Sequence, residues 1–178
     1  MFPQSSYSEQ GETARASWES TQRLFAIGQL NLPAKLSLTS QFDASSGDPY
    51  NVITGMDNNG DGVFNDRPSL TAQPGTGTYQ TPFGLLNTTA LNGSLGRNVG
   101  TMPALIHLDS NLSRTFELHS HGLAADRHQT VTLNARSANL LNHTNVTTVG
   151  NVVGSPTFTQ PLAAEAARRV EFGIRYTF

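Results

Sequence analysis

The last ten residues alternate without a break. Val170, Phe172, Ile174, Tyr176 and Phe178 occupy the even positions, and Arg169, Glu171, Gly173, Arg175 and Thr177 the odd ones. Successive side chains of a strand point to opposite faces, so a period of two prescribes a β-strand with one apolar and one polar face. The sequence stops on Phe178 with no polar tail after it, and the chain is therefore expected to end inside the strand. Soluble domains seldom finish that way, because their termini usually fray into solvent.

The same period recurs upstream. Over residues 22–32, Leu24, Ala26, Gly28, Leu30 and Leu32 share one face, opposite a mixed face of Arg23, Phe25, Ile27, Gln29 and Asn31. A break at Pro33 and Ala34 separates this strand from 35–42, where Leu36, Leu38 and Phe42 alternate with polar residues. Two long strands so close together predict a tight hairpin. A third strand runs to Leu118 with Ile106, Leu108, Leu112, Phe116 and Leu118 on one side, and Ser110 and Arg114 interrupt that side. A polar turn over 119–127 leads to a fourth strand, about 128–141, in which Val131, Leu133 and Ala135 alternate with Thr132, Asn134 and Arg136. Residues 163–168 favour helix, but six residues are too few for an independent one.

Between these strands lie two long connections, about 47–100 and 142–166, rich in Gly, Asn, Pro, Ser and Thr. Connections of that length are usually functional or mobile. The order of connections is thus short, long, short, long, and in an antiparallel meander this collects the short turns at one end and the long loops at the other. Outer-membrane barrels have this asymmetry, with short periplasmic turns, long extracellular loops and tilted strands of about 9 to 11 residues. The expected fold is all-β: an antiparallel up-and-down meander of about five long strands, the carboxyl-terminal part of a transmembrane β-barrel left open. Residues 1–21 read as a loop continuing from an upstream barrel, and 22–178 as the barrel strands with their loops.

Composition excludes several other classes. The chain of 178 residues is 37% hydrophobic and 13% charged, with a formal net charge of -2. It therefore offers no basic field to nucleic acid, and no such partner is expected. Cysteine is absent, which removes disulfides, thiolate metal sites and a cysteine nucleophile. The opening residues Met1-Phe2-Pro3-Gln4-Ser5-Ser6-Tyr7 lack the basic and apolar regions of a signal peptide. No P-loop, dinucleotide fingerprint or nucleophile elbow occurs, and no enzyme is expected.

A family resemblance follows from ordered motifs. Ser46-Gly47-Asp48-Pro49-Tyr50, then Thr54-Gly55-Met56-Asp57-Asn58-Asn59-Gly60-Asp61-Gly62-Val63-Phe64-Asn65-Asp66-Arg67-Pro68, resembles the loop near the carboxyl end of Oar-like TonB-dependent receptors. The residues Leu108-Asp109-Ser110-Asn111-Leu112-Ser113-Arg114-Thr115-Phe116, Asn139-Leu140-Leu141-Asn142-His143-Thr144-Asn145, Gly154-Ser155-Pro156-Thr157-Phe158 and Phe172 to Phe178 continue the likeness in the same order. The resemblance implies a plugged barrel of about 22 strands in the outer membrane of a Gram-negative bacterium, used for ligand uptake or export. It further implies that the aromatic end of the last strand is read by the outer-membrane barrel-assembly machinery. The signal peptide, plug, TonB-contact segment and most of the barrel have no counterpart here, so a fragment or truncated product is expected, with TonB reached only through an absent amino-terminal part. Val170, Phe172, Ile174, Tyr176 and Phe178 then form the lipid face of the final strand.

One loop has the spacing of a cation site. Asp57, Asn59 and Asp61 stand at positions one, three and five, Gly62 at six, the Val63 carbonyl at seven, and Asn65 and Asp66 follow. A short loop wraps Ca²⁺ with oxygens so placed. Position twelve is Pro68, where an EF-hand has a bidentate glutamate, and a turn held by Asx hydrogen bonds and left-handed glycines uses the same residues. His119 and His121, in a polar turn, read as solvated. Glu171 and Arg175 share the polar face of the last strand, as a structural charge pair. The rival to a barrel segment is a secreted, calcium-stabilised β-sandwich adhesion module, which would bury the even residues of the last strand. A hydrolase would need a convergent acid, base and nucleophile that the sequence does not assemble.

Overall fold

The structure is a computed structural model that describes residues 2–118 and 129–178; His119 and His121 lie outside them. Its strands are β1 (Arg23–Leu32), β2 (Leu36–Ser45), β3 (Pro49–Tyr50), β4 (Ser69–Leu70), β5 (Thr78–Thr81), β6 (Gly84–Asn87), β7 (Gly100–Thr101), β8 (Leu105–Leu118), β9 (Gln129–Ala138), β10 (Val146–Val149), β11 (Pro161–Ala164) and β12 (Arg169–Thr177). A single 3-10 turn, Pro33–Lys35, joins the first two, and no α-helix occurs among the described residues. The chain divides into two units.

The first unit comprises Gln22–Ser45, Leu105–Asn145 and Glu165–Phe178. It is one five-stranded sheet in the order β1-β2-β8-β9-β12, every neighbour antiparallel. The five long strands of the sequence pattern are these five, in chain order, and the meander is open: β1 and β12 are its outer strands and do not pair with each other. The hairpin turn is three residues long, since Leu36 pairs with Leu32 and Lys35 belongs to the turn. Ala34 and Lys35 both take left-handed conformations there, with φ of 62° and 58°.

The register aligns the alternating patterns of separate strands into rows. Leu30, Leu38, Leu112, Ala135 and Phe172 form one row across all five strands, and Leu36, Arg114, Leu133 and Ile174 form another. A one-residue slip in any strand would mix the two faces. Among the described residues this unit has no apolar core: those buried are Ser137, Asn139 and Asn145, all polar, while Leu24, Leu30, Phe172 and Ile174 are more than half exposed.

The second unit gathers the residues before Gln22 with Ser46–Ala104 and Val146–Ala164. It is an ordinary packed body. Val52, Leu86, Leu95 and Val153 are buried together, with Tyr50, Phe83 and Phe158 against them. Around this core lie a three-stranded sheet, β4-β6-β5, and the pairs β3-β7 and β10-β11. Ile53 bridges to Val152 in parallel, closed by the Ile53 amide on the Asn151 carbonyl and the Val153 amide on the Ile53 carbonyl, both 2.9 Å. The long connections are therefore folded, through short strand pairs that carry too few residues to show a period.

Candidate functional site

The apolar face of the five-stranded sheet is the most unusual surface of the molecule. On β12, Val170, Phe172, Ile174 and Tyr176 stand in line, each at least half exposed, and Phe178 continues the line. The Tyr176 and Phe178 rings stack with centroids 5.7 Å apart. Leaving a large apolar side chain in water forgoes about 1.5 to 3 kcal/mol relative to burying it. A row of them on every strand is a surface built for an apolar medium or an apolar partner. The two residues that interrupt the pattern on β8 are accommodated locally. Ser110 bonds Ser40 through their hydroxyls at 2.8 Å, and the Arg114 guanidinium lies 4.6 Å from the centre of the Phe116 ring.

The opposite face is polar on β2, β8, β9 and β12 and mixed on β1, where Phe25 and Ile27 are exposed. Arg23 donates to both carboxylate oxygens of Asp43, at 3.1 and 2.6 Å, Thr115 and Thr132 share a hydrogen bond of 2.9 Å, and Lys35 lies 3.5 Å from Glu117. Glu171 pairs at 3.0 Å with Arg169 on its own strand, and Arg175 stands opposite Thr132. Exposed pairs of this kind contribute roughly 0 to 1 kcal/mol each. Their weight here is in marking the face as wet. At the Leu105 end of β8, His107 Nε2 lies 3.2 Å from Glu165, and the buried Asn145 carboxamide bonds both the amide and the carbonyl of Ile106.

In the second unit, the loop spaced like a cation site is closed by its own backbone. Asp57 accepts the amides of Gly60, Asp61 and Gly62 at 2.8 to 3.0 Å, Asn59 Oδ1 accepts that of Asp61, and Asp61 accepts those of Val63 and Ser6. Asp66 is fully buried and accepts the amides of Asn58 and Asn59 and the Asn59 carboxamide. Burial raises the Asp66 carboxyl above the ordinary carboxylate range, whereas the Ser6 and Val63 amides hold Asp61 below it. Asn65 donates to the carbonyls of Pro3 and Phe2. These oxygens point at N–H groups, as in Asx turns, and no group of three or more His, Cys, Asp or Glu is arranged to hold a metal among the described residues.

A sheet with one bare apolar face, one polar face and two unpaired outer strands is the architecture of a barrel wall. The model of a protein family described as an outer membrane beta barrel domain matches residues 1–171. This chain belongs to that family. The outer-membrane barrel domain places the protein in the outer membrane, and its bare face accordingly has lipid as its medium. No curated protein and no solved structure gives a match.

The loop unit of this barrel domain also holds an ion cluster that the sequence did not reveal. Arg67 is 1% exposed, its Nη1 lies 2.7 Å from Glu12 Oε1, and Arg97 Nη1 lies 3.0 Å from Glu12 Oε2. Gln4 ties the same place together: its carbonyl Oε1 accepts the Arg67 amide and its Nε2 donates to the Gly93 carbonyl. Glu12 and Arg67 are distant in sequence and neither sits in a periodic segment. Only the Pro after Arg67 hints that the spot is structured.

Proposed function

We propose that the chain forms the carboxyl-terminal wall and loops of a TonB-dependent receptor barrel of the Oar-like kind, acting in ligand uptake or export within the complete receptor. The observation that carries this reading is the inside-out sheet: among the described residues of its five strands the one buried residue is the polar Ser137, and the aligned even positions of β12 are bare. A sandwich would bury Phe172 and Ile174, which are 83% and 78% exposed. In this reading Val170, Phe172, Ile174, Tyr176 and Phe178 contact lipid. The turn at Pro33–Lys35 lies at the periplasmic end, and the folded connections face outside. β1 and β12 each pair with strands the chain does not contain, and Phe178 belongs to the signal read by the assembly machinery. TonB acts through an amino-terminal plug region.

Flotation with phospholipid vesicles tests the reading. The chain is expected to float with vesicles and to precipitate in buffer without detergent. A soluble monomer that ignores vesicles would sink the proposal and favour an adhesion module. The receptor assignment itself is tested by the coding sequence upstream of Met1, where an in-frame plug and further alternating strands are expected.

A further inference from the structure

The second unit contains a cleft of about 550 Å³, within the range of small-molecule sites. Its walls come from the opening segment of the chain and from the 91–96 stretch, closed by Asn59 and Arg67. The arrangement is rigid on one side. Gly93 packs against the backbone so closely that a β-carbon there would stand 1.7 Å from the Arg67 carbonyl oxygen, and Gln4 bridges the Gly93 carbonyl and the Arg67 amide.

Arg67 is the single ionised residue in the lining, and it is buried with Glu12 at 2.7 Å. Its guanidinium is withdrawn from the surface, so a charged ligand meets no exposed counter-charge among the described lining residues. What the cleft does present is neutral and two-sided in character. Tyr7 and Leu91 are 76% and 63% exposed and offer apolar surfaces. Gln10 and Asn92 are exposed carboxamides with side chains that no residue engages among those described. Each carboxamide supplies donors and an acceptor. Carbon-bound hydrogens on one face, and hydroxyls that both give and accept hydrogen bonds on the rim, are the complement of that lining.

We infer that this cleft binds a neutral saccharide, with a sugar ring packed on Tyr7 and its hydroxyls bonded to Gln10 and Asn92. The inference names a ligand class for the receptor reading above, yet every group it uses belongs to the loop unit. Failure to enter lipid would therefore count against the receptor reading and leave the binding assay interpretable.

The test uses the whole 178-residue chain in a zwitterionic detergent, because glycoside detergents would compete. Saturation-transfer NMR and calorimetry follow maltotriose, cellotriose and chitotriose, with trigalacturonate as the charged counterpart. At least one neutral trisaccharide is expected to bind saturably. Tyr7→Ala is expected to weaken it about tenfold and Tyr7→Phe to preserve it, since the ring and not the hydroxyl carries the packing. Asn92→Ala should weaken it severalfold. Tyr7 and Asn92 are exposed, so these changes leave the fold intact. No saturable binding of any neutral trisaccharide, tighter binding of trigalacturonate, or full binding by a Tyr7→Ala/Asn92→Ala double variant would each overturn the assignment.

Discussion

Asn134 on β9 faces Gly173 on β12, and a β-carbon added to Gly173 would stand 2.4 Å from the Asn134 carboxamide oxygen. The one residue without a side chain on the polar face of the last strand is thus the one whose neighbour needs the room. A carboxamide can swing aside, so Gly173→Ala is expected to cost no more than about 1 kcal/mol. Gly93→Ala meets a backbone carbonyl at 1.7 Å and is expected to cost more than about 3 kcal/mol. Denaturation followed by circular dichroism for the first, and by Trp18 fluorescence for the second, separates them. Equal losses would refute the distinction between a side-chain and a backbone obstacle.

The two faces of β8 differ in what they tolerate. Leu112 belongs to the apolar row, and its sequence neighbour Asn111 faces Thr39 and Arg136 on the polar side. In lipid vesicles Leu112→Arg is expected to destabilise the folded protein by roughly 2 to 4 kcal/mol if the row lies near the bilayer midplane, and Asn111→Arg by far less. Urea titration of vesicle-bound protein measures both. Similar losses at the two positions would mean that lipid does not distinguish the faces.

Acid stability should carry two opposed contributions from one loop. The Asp66 carboxyl is raised by burial, so the folded loop holds its proton more tightly than the unfolded chain does. Its contribution to stability is therefore lost as pH rises from about 3.9, the ordinary value, through the folded value. The Asp61 carboxyl is lowered by its two backbone donors. Its contribution is present above the ordinary value and lost as pH falls through the folded one. Asp66→Asn is expected to abolish the first slope and leave the second, read as unfolding midpoints by Trp18 fluorescence from about pH 3 to 6. An unchanged profile would show that Asp66 is not the titrating group.

Asp57 accepts three backbone amides in its turn. Asp57→Ala is expected to cost about 1 to 3 kcal/mol, with the same loss in calcium and in chelator. Calorimetric titration of calcium should give no saturable heat, because the loop oxygens already accept N–H donors. A saturable signal, lost in Asp57→Ala, would mean that the loop turns its oxygens inward around the ion.

Ala34 holds a left-handed conformation at φ 62° in the hairpin turn, which costs an alanine about 1 to 2 kcal/mol relative to glycine. Ala34→Gly is expected to stabilise the hairpin by somewhat under 1 kcal/mol after the added freedom of the unfolded chain. A lower urea midpoint would contradict the assigned turn.

The strands were legible because a barrel wall writes its two faces into the sequence as a period of two, and Leu112, Ala135 and Phe172 fall into one row because each lies on an apolar face. The turn was legible to within Lys35. The folded loops were not, since strands of two to four residues, such as Ser69–Leu70 and Thr78–Thr81, carry no measurable period and are fixed by contacts remote in sequence. The Asp57 to Asp66 spacing was visible, but spacing alone does not say whether the oxygens meet a cation or an amide. The cleft and the Glu12–Arg67 pair depend on the opening segment meeting the loops, and no pattern along the chain encodes that meeting.

Asn145 stands where β8 loses its β9 neighbour. β9 covers β8 only from Ser110 onward. Beyond that point the Leu140 amide bonds the Leu108 carbonyl, and Asn145 binds both polar groups of Ile106 with a side chain that copies a peptide unit. In water an uncovered run of strand backbone templates the addition of another chain and seeds aggregates. A carboxamide in that place occupies both groups with a part too short to be extended as a strand, so this end of β8 offers no open edge to another chain.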